Sequence, residues 1–250
     1  MTVLLLVHAF PVDASMWEPQ ITGLGGDLQV LAPSLPGFGG ESPPPGAVLT
    51  MDAAADAMGE ALDRAGVQSA VICGLSMGGY VAFSMWRRHR DRIDALVLAD
   101  TRAEPDDDAG RERRRTVAET ARTRGSAAIA ENPPALLSDG ADDALWDRVK
   151  GWIRAQPGEA IAAASLGMAE RPDSRPILGE IDVPTTIVVG SADALTPPAM
   201  SESMAEAIPG AQLVVLDGAG HLSNLEDPEG FNAAIEGILD RVGREGMQRP

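Results

Sequence analysis

A serine framed by glycines, directly after an apolar run, constrains this chain more than any other feature. Ala70-Val71-Ile72-Cys73 leads into Gly74-Leu75-Ser76-Met77-Gly78-Gly79, and the residues that follow carry apolar side chains at helical spacing. Ser76 therefore belongs on a strand-to-helix turn. Glycines two before and two after it allow strand and helix to crowd against that turn. A turn of this kind lifts the serine hydroxyl above a sheet, within reach of a base and a substrate. A G-x-S-x-G match alone is a modest signal in a chain with 27 glycines; its position between strand and helix is what gives it weight. The plainer alternative is a serine that caps the next helix through its own hydroxyl.

Six short β-branched or leucine-rich runs read as strands, at residues 1–7, 30–32, 70–73, 95–99, 186–189 and 213–216. Helical patterns separate them. One spans 52–65 and closes at Gly66; another follows Ser76, with Met77, Tyr80, Val81, Ser84 and Met85 on one face. The last begins near Pro228, with Asp227 as its N-cap. Continuous apolar strands alternating with helices predict an α/β fold, a parallel sheet covered on both faces.

Residues 105–176 break this pattern. Strand-like runs vanish, and alanine- and arginine-rich helical stretches appear, punctuated by Gly125, Pro133-Pro134, Gly140, Pro157 and Pro172. The expected organisation is a core made of 1–104 and 177–250, with 105–176 as a helical cap over the carboxyl ends of the strands, where ligands bind. A formal charge of −17 argues against nucleic acid as a partner. The apolar start is too short to span a membrane, and a single cysteine, Cys73, suits a reducing cytoplasm. No metal-ligand cluster, dinucleotide loop or phosphate loop is evident, so no cofactor is expected. The sequence fits a monomer and a homo-oligomer equally.

Acyl transfer by serine needs a base and a carboxylate to orient it. Of three histidines, His89 falls on the polar side of the helix after Ser76 and His8 precedes the loop after the first strand. His221 alone follows a late strand in a glycine-rich loop, Asp217-Gly218-Ala219-Gly220-His221. Asp193, after the fifth strand, completes the order Ser76, Asp193, His221 expected on such a sheet. Asp100, at the end of the fourth strand, competes for the role. Oxyanion donors are expected from the backbone N–H groups of Met77 and Phe10; Pro11 has none to offer.

At this point the chain resembles the α/β-hydrolase family over its whole length. The likeness is carried by His8-Ala9-Phe10-Pro11, the Ser76 motif, Gly190-Ser191-Ala192-Asp193 and Gly220-His221. Asp13-Ala14-Ser15-Met16-Trp17 and Asp100-Thr101-Arg102-Ala103 look like its small capped members: 3-oxoadipate enol-lactonases, arylesterases and cofactor-free perhydrolases. The family usually has glycine where this chain has Ala9, and usually begins with an antiparallel strand pair. Here the first strand opens at Met1, so a shortened, all-parallel sheet of six strands is expected.

The resemblance implies a serine hydrolase of small carboxylic esters or lactones. The same three residues would also serve a perhydrolase with peroxide as acyl acceptor, and a silent ligand-binding module on this fold is the reading from another class. Leu195 and Leu222 are expected to border the substrate pocket from the core, and Trp146, Trp152 and Met168 from the cap. Arg111, Arg113, Arg114, Arg115, Arg122 and Arg124 read mainly as a solvated helix face, with room for one to turn inward onto a substrate carboxylate.

Overall fold

In the computed structural model, which describes residues 2–25, 28–44 and 46–248 (side chains through 244), each apolar run has become a strand. In chain order the elements are β1 (Val3–Val7), α1 (Glu18–Gly23), β2 (Gln29–Leu31), α2 (Met51–Arg64), β3 (Ala70–Leu75), α3 (Met77–Arg88), β4 (Ile93–Ala99) and α4 (Asp108–Glu131). They continue with α5 (Asp143–Ala155), α6 (Gly158–Ala169), α7 (Arg175–Leu178), β5 (Thr185–Gly190), α8 (Pro198–Ala207), β6 (Gln212–Leu216), α9 (Ser223–Glu226) and α10 (Pro228–Gln248). Met1, which the apolar pattern assigns to the first strand, lies outside the described residues.

The six strands form one parallel sheet in the order β2-β1-β3-β4-β5-β6. No antiparallel pair occurs among the described residues. β1 and β3 are buried along their whole length, as is β5, while the edge strands β2 and β6 are half-buried with Val215 exposed. Helices cover the central strands on both faces, so their continuous apolar sequence follows from having no solvent side. Helix starts obey local chemistry: the Thr50 hydroxyl accepts from the Ala53 N–H at 3.1 Å, and Asp227 accepts from the Gly230 N–H at 3.0 Å.

The chain runs from β1 outward to β2, then returns to the other side of β1 as β3. Between the carboxyl ends of β1 and β3 lies a topological switch point, where loops diverge and leave a crevice for ligands. Residues between β4 and β5 form α4 to α7. Helix α4 is interrupted at Gly125, whose φ of 76° no helix accommodates. Helices α4 and α6 pack on one another, and Gln156, at the end of α5, ties this segment to the sheet side. Its Nε2 donates to Asp13 Oδ2 at 2.7 Å, and its Oε1 accepts from the Gly39 N–H at 3.0 Å. Among the described residues no helix is long and apolar enough to cross a membrane.

Candidate active site

Ser76 sits between β3 and α3 with φ 56° and ψ −110°, a left-handed backbone that a non-glycine residue adopts only when its surroundings hold it there. What holds it is close packing. A Cβ on Gly78 would lie 2.1 Å from the Val7 carbonyl oxygen, and one on Gly74 would lie 2.2 Å from that of Gly78. The Thr101 hydroxyl donates to the Ser76 carbonyl at 2.8 Å. The Ser76 side chain does not cap α3. Its Oγ lies instead 2.7 Å from His221 Nε2, which decides against the plainer reading of the motif.

His221 Nδ1 lies 2.8 Å from Asp193 Oδ2. Both residues are buried. Asp193 is saturated: Oδ1 accepts from the Leu195 and Thr196 N–H groups at 2.8 and 2.9 Å, and Oδ2 from the Thr196 hydroxyl at 2.6 Å. Burial pushes the Asp193 carboxyl up, but the hydrogen bond and charge of His221, with the hydrogen bonds from Thr196, outweigh it and hold the group below the usual carboxylate range. Asp193 Oδ2 accepts a hydrogen bond from the Nδ1–H of His221, which leaves Nε2 as the ring atom facing the Ser76 hydroxyl. The loop carrying His221 is pinned by Glu226, which accepts from the Gly220 N–H at 2.7 Å and from the Ser138 hydroxyl at 2.5 Å.

Asp100 belongs elsewhere in the network. It is fully buried, accepts from the Gly190 N–H at 2.9 Å and shares a 2.5 Å hydrogen bond with the Ser223 hydroxyl. Burial, and then the nearby Asp193 charge, drive its carboxyl well above the ordinary range. Its part is to join the loops that carry Asp193 and His221.

His8 is fully buried at the end of β1. Its Nε2 accepts from the Leu35 N–H and its Nδ1 donates to the Ala9 carbonyl, both at 2.9 Å. Ala9 keeps a negative φ, so alanine is tolerated where the family usually has glycine. The Phe10 N–H makes no hydrogen bond among the described residues, and Met77, as the first residue of α3, has no intrahelical acceptor. His89 is remote and pairs with Asp56 at 2.8 Å.

Ser76 and His221 open into a cavity of about 280 Å³. Phe10, Tyr80, Val117, Leu136, Met168 and Leu195 give it apolar walls, while Arg102, Asp106, Arg113 and Arg114 give it a charged side. Met168 and Leu195 thus lie where the sequence suggests. Trp146, Trp152 and Leu222 do not. Trp146 faces a separate surface depression beneath Lys150, and Trp152 stacks under the Arg148 guanidinium at 4.8 Å. Leu222 is buried behind the site, its N–H bonded to the Leu136 carbonyl at 2.8 Å. Helix α5 turns its apolar Val149 and Ile153 inward and leaves both tryptophans at its margins. Sequence reading assigns no site role to Thr196, Glu226, Tyr80, Arg102 or Asp106; of these Tyr80 stands out as part of a buried stripe and Arg102 within Asp100-Thr101-Arg102-Ala103.

A parallel sheet with a serine–histidine–aspartate chain at its switch point defines a class of open α/β protein. A family model described as alpha/beta hydrolase fold matches residues 2–228, and the chain belongs to that family. Among solved structures, a thermophilic esterase from Thermogutta terrifontis, with malate bound, is 42% identical with a TM-score of 0.93, covering 97% of this chain and 90% of that one. A pimeloyl-[acyl-carrier protein] methyl ester esterase of Aromatoleum aromaticum is 30% identical, covering 94% of this chain and 97% of the relative. The 3-oxoadipate enol-lactonase 2 of Acinetobacter baylyi is 26% identical over 95% of this chain and 88% of its own.

Proposed function

We propose that this protein is a serine hydrolase that cleaves small carboxylic esters or lactones through an acyl-enzyme. The unbroken chain from Ser76 Oγ through His221 to Asp193 carries the reading. His221 Nε2 takes the hydroxyl proton as Ser76 Oγ attacks the substrate carbonyl carbon, and Asp193 stabilises the imidazolium that forms. The carbonyl oxygen, now an anion, is received by the N–H groups of Phe10 and Met77. Collapse of the tetrahedral species breaks the bond to the alcohol oxygen, which leaves with the proton from His221. Water then repeats the sequence on the acyl-serine, releasing the acid and restoring Ser76. A lactone reacts identically, except that its alcohol stays tethered to the acyl group.

In this reading residues 105–176 act as the cap over a core of 1–104 and 177–250. Val117 and Met168 supply the cap side of the acyl pocket, and the cap limits water around Ser76. The esterase and enol-lactonase activities named for the relatives agree with it. A single, buried thiol at Cys73 is in keeping with a cytoplasmic setting. The test is labelling with a fluorophosphonate during turnover of p-nitrophenyl acetate. The adduct is expected on Ser76 with loss of activity. Ser76→Ala is expected to fold normally, resist labelling and lose turnover on the order of 10⁶-fold. Full turnover by folded Ser76→Ala would refute the proposal.

A further inference from the structure

The charged side of the cavity carries more positive charge than its carboxylate can neutralise. Asp106 is buried at its centre and receives three guanidinium groups. Arg114 Nε lies 3.1 Å from Oδ2, Arg171 Nη2 lies 3.0 Å from Oδ1, and Arg102 Nη2 also bonds Oδ1. Three arginines offer about fifteen N–H donors against about four lone-pair sites on one carboxylate. Asp106 sits at about 2: burial pushes it up, but Arg171 and Arg114 overcome that push. It is therefore a fixed anion, and the cluster keeps an excess of two positive charges. Glu104 contributes only its backbone carbonyl, to Arg171 at 2.9 Å.

The excess faces the reacting centre. Arg171 is nearly fully buried, stacked 4.2 Å from the Tyr80 ring centroid, whereas Arg102 and Arg114 stay 22% and 24% exposed and line the cavity. Arg114 spends Nε on Asp106 and leaves both Nη atoms without a protein partner among the described residues. Its guanidinium carbon lies 6.0 Å from the ring centroid of Phe10, which lines the same cavity as Ser76. Arg113 adds a further exposed guanidinium to the lining, with no ion pair among the described residues. This concentration of cations in a chain of net charge −17 is not a consequence of bulk composition.

We infer that Arg102, Arg113 and Arg114 form an anion subsite of the acyl pocket, so that the preferred substrate carries a free carboxylate on its acyl part. The half-ester of a short dicarboxylic acid has that chemistry. One arm of the acyl chain places the ester carbonyl at Ser76 while the other delivers its carboxylate to the free Nη atoms of Arg114. Planar guanidinium and carboxylate match through paired hydrogen bonds, which a lysine would not reproduce. The inference rests on the Ser76 reading, because it names what that serine acylates with.

The experiment compares monomethyl glutarate with methyl pentanoate, which differ only in carboxylate for methyl, by following acid release in a pH-stat. The half-ester is expected to have the higher kcat/KM by about tenfold or more, the worth of one charge-assisted hydrogen bond. That advantage is expected to shrink in about 0.5 M NaCl, where exposed charges are screened. Arg114→Gln is expected to lower the half-ester to neutral-ester ratio by about tenfold. Arg113→Gln, an exposed position that does not disturb the buried cluster, is expected to lower it in the same direction and keeps the test open if Arg114→Gln fails to fold. Brisk turnover of methyl pentanoate with no preference for the half-ester would overturn the subsite and leave the serine mechanism standing. If neither ester nor p-nitrophenyl acetate were hydrolysed, the serine mechanism would fall and the substrate assignment with it.

Discussion

Acidification is expected to weaken this protein through one histidine that takes no part in the chemistry. His8 has no access to solvent, and its two ring nitrogens are committed to opposite roles, Nε2 accepting from Leu35 and Nδ1 donating to Ala9. A second proton would destroy the bond to Leu35 and bury a charge. Burial accordingly pulls His8 down to about 4, against smaller upward pulls from the Ala9 carbonyl and the Asp13 carboxylate. In the unfolded chain the same ring titrates near the ordinary 6.5. Between those values the unfolded state binds the proton and the folded state does not, so stability is fully present above pH 6.5 and declines as pH falls toward 4. The loss comes to about 2 kcal/mol at pH 5 and about 3 kcal/mol at pH 4, a large part of a typical folding free energy of about 5–15 kcal/mol. Asp100 works in the opposite sense, since its raised pKa favours the folded state as it takes up a proton. The measurement is therefore a difference: urea unfolding of wild type and His8→Gln from pH 7.5 to 5, with the variant expected to lose less stability on acidification. Nitrogen-15 spectra of the three histidine rings give a check without mutation. His8 is expected to show a protonated Nδ1 and a bare Nε2 that does not titrate above pH 5. A His8 ring that titrates near 6.5 in the folded protein would refute the reasoning.

Five substitutions bear on the site. Asp193→Asn is expected to cost roughly 10⁴-fold in kcat, by analogy with other triads that lose the orienting carboxylate. Asp100→Asn, which keeps an acceptor for the Gly190 N–H and whose amide N–H can donate to the Ser223 hydroxyl oxygen in place of the bond that hydroxyl now donates, is expected to cost far less, and the reverse ranking in ester assays would reassign the acid. Glu226→Ala strands the N–H groups of Gly220 and Ser138 and is expected to destabilise by ~1–3 kcal/mol, lowering kcat more than KM as the His221 loop loosens; unchanged melting and kcat would show that the loop holds itself. Met168→Ala is expected to shift the preferred acyl length by no more than roughly 10–200-fold, while Trp152→Ala, outside the cavity, leaves the acetate-to-octanoate profile unaltered.

What could be read from the sequence divides along a physical line. β1, β3, β4 and β5 announce themselves because strands with no solvent face must be apolar throughout, and their ends fall within two residues of the apolar runs. Ser76 is legible because it directly follows β3, Asp193 because it stands in the loop that opens after β5, and His221 because a glycine-rich loop carries it past the edge strand β6; the sheet brings these strand ends together. The walls of the cavity are another matter. Trp146 and Trp152 fail as pocket residues because the facing of α5 depends on how the inserted helices dock, which helical spacing within one segment does not determine. The Asp106 cluster is equally hidden, since Arg171 reaches it from 65 residues away and no local pattern marks a carboxylate chosen for burial.

The hydrogen bonds of Gln156 have a consequence for how such proteins diversify. Its amide joins the end of α5 to Asp13, three residues beyond Phe10, and to the loop at Gly39. The insertion between β4 and β5 is thus not a cassette resting on an independent catalytic platform. Replacing it with a different insertion would strip a buried carboxylate of its partner at the very loop that presents Phe10. New specificity drawn from a foreign insertion therefore has to preserve that amide or repair the loop beneath it, whereas single changes along α4 and α6 can reshape the cavity with the loop undisturbed.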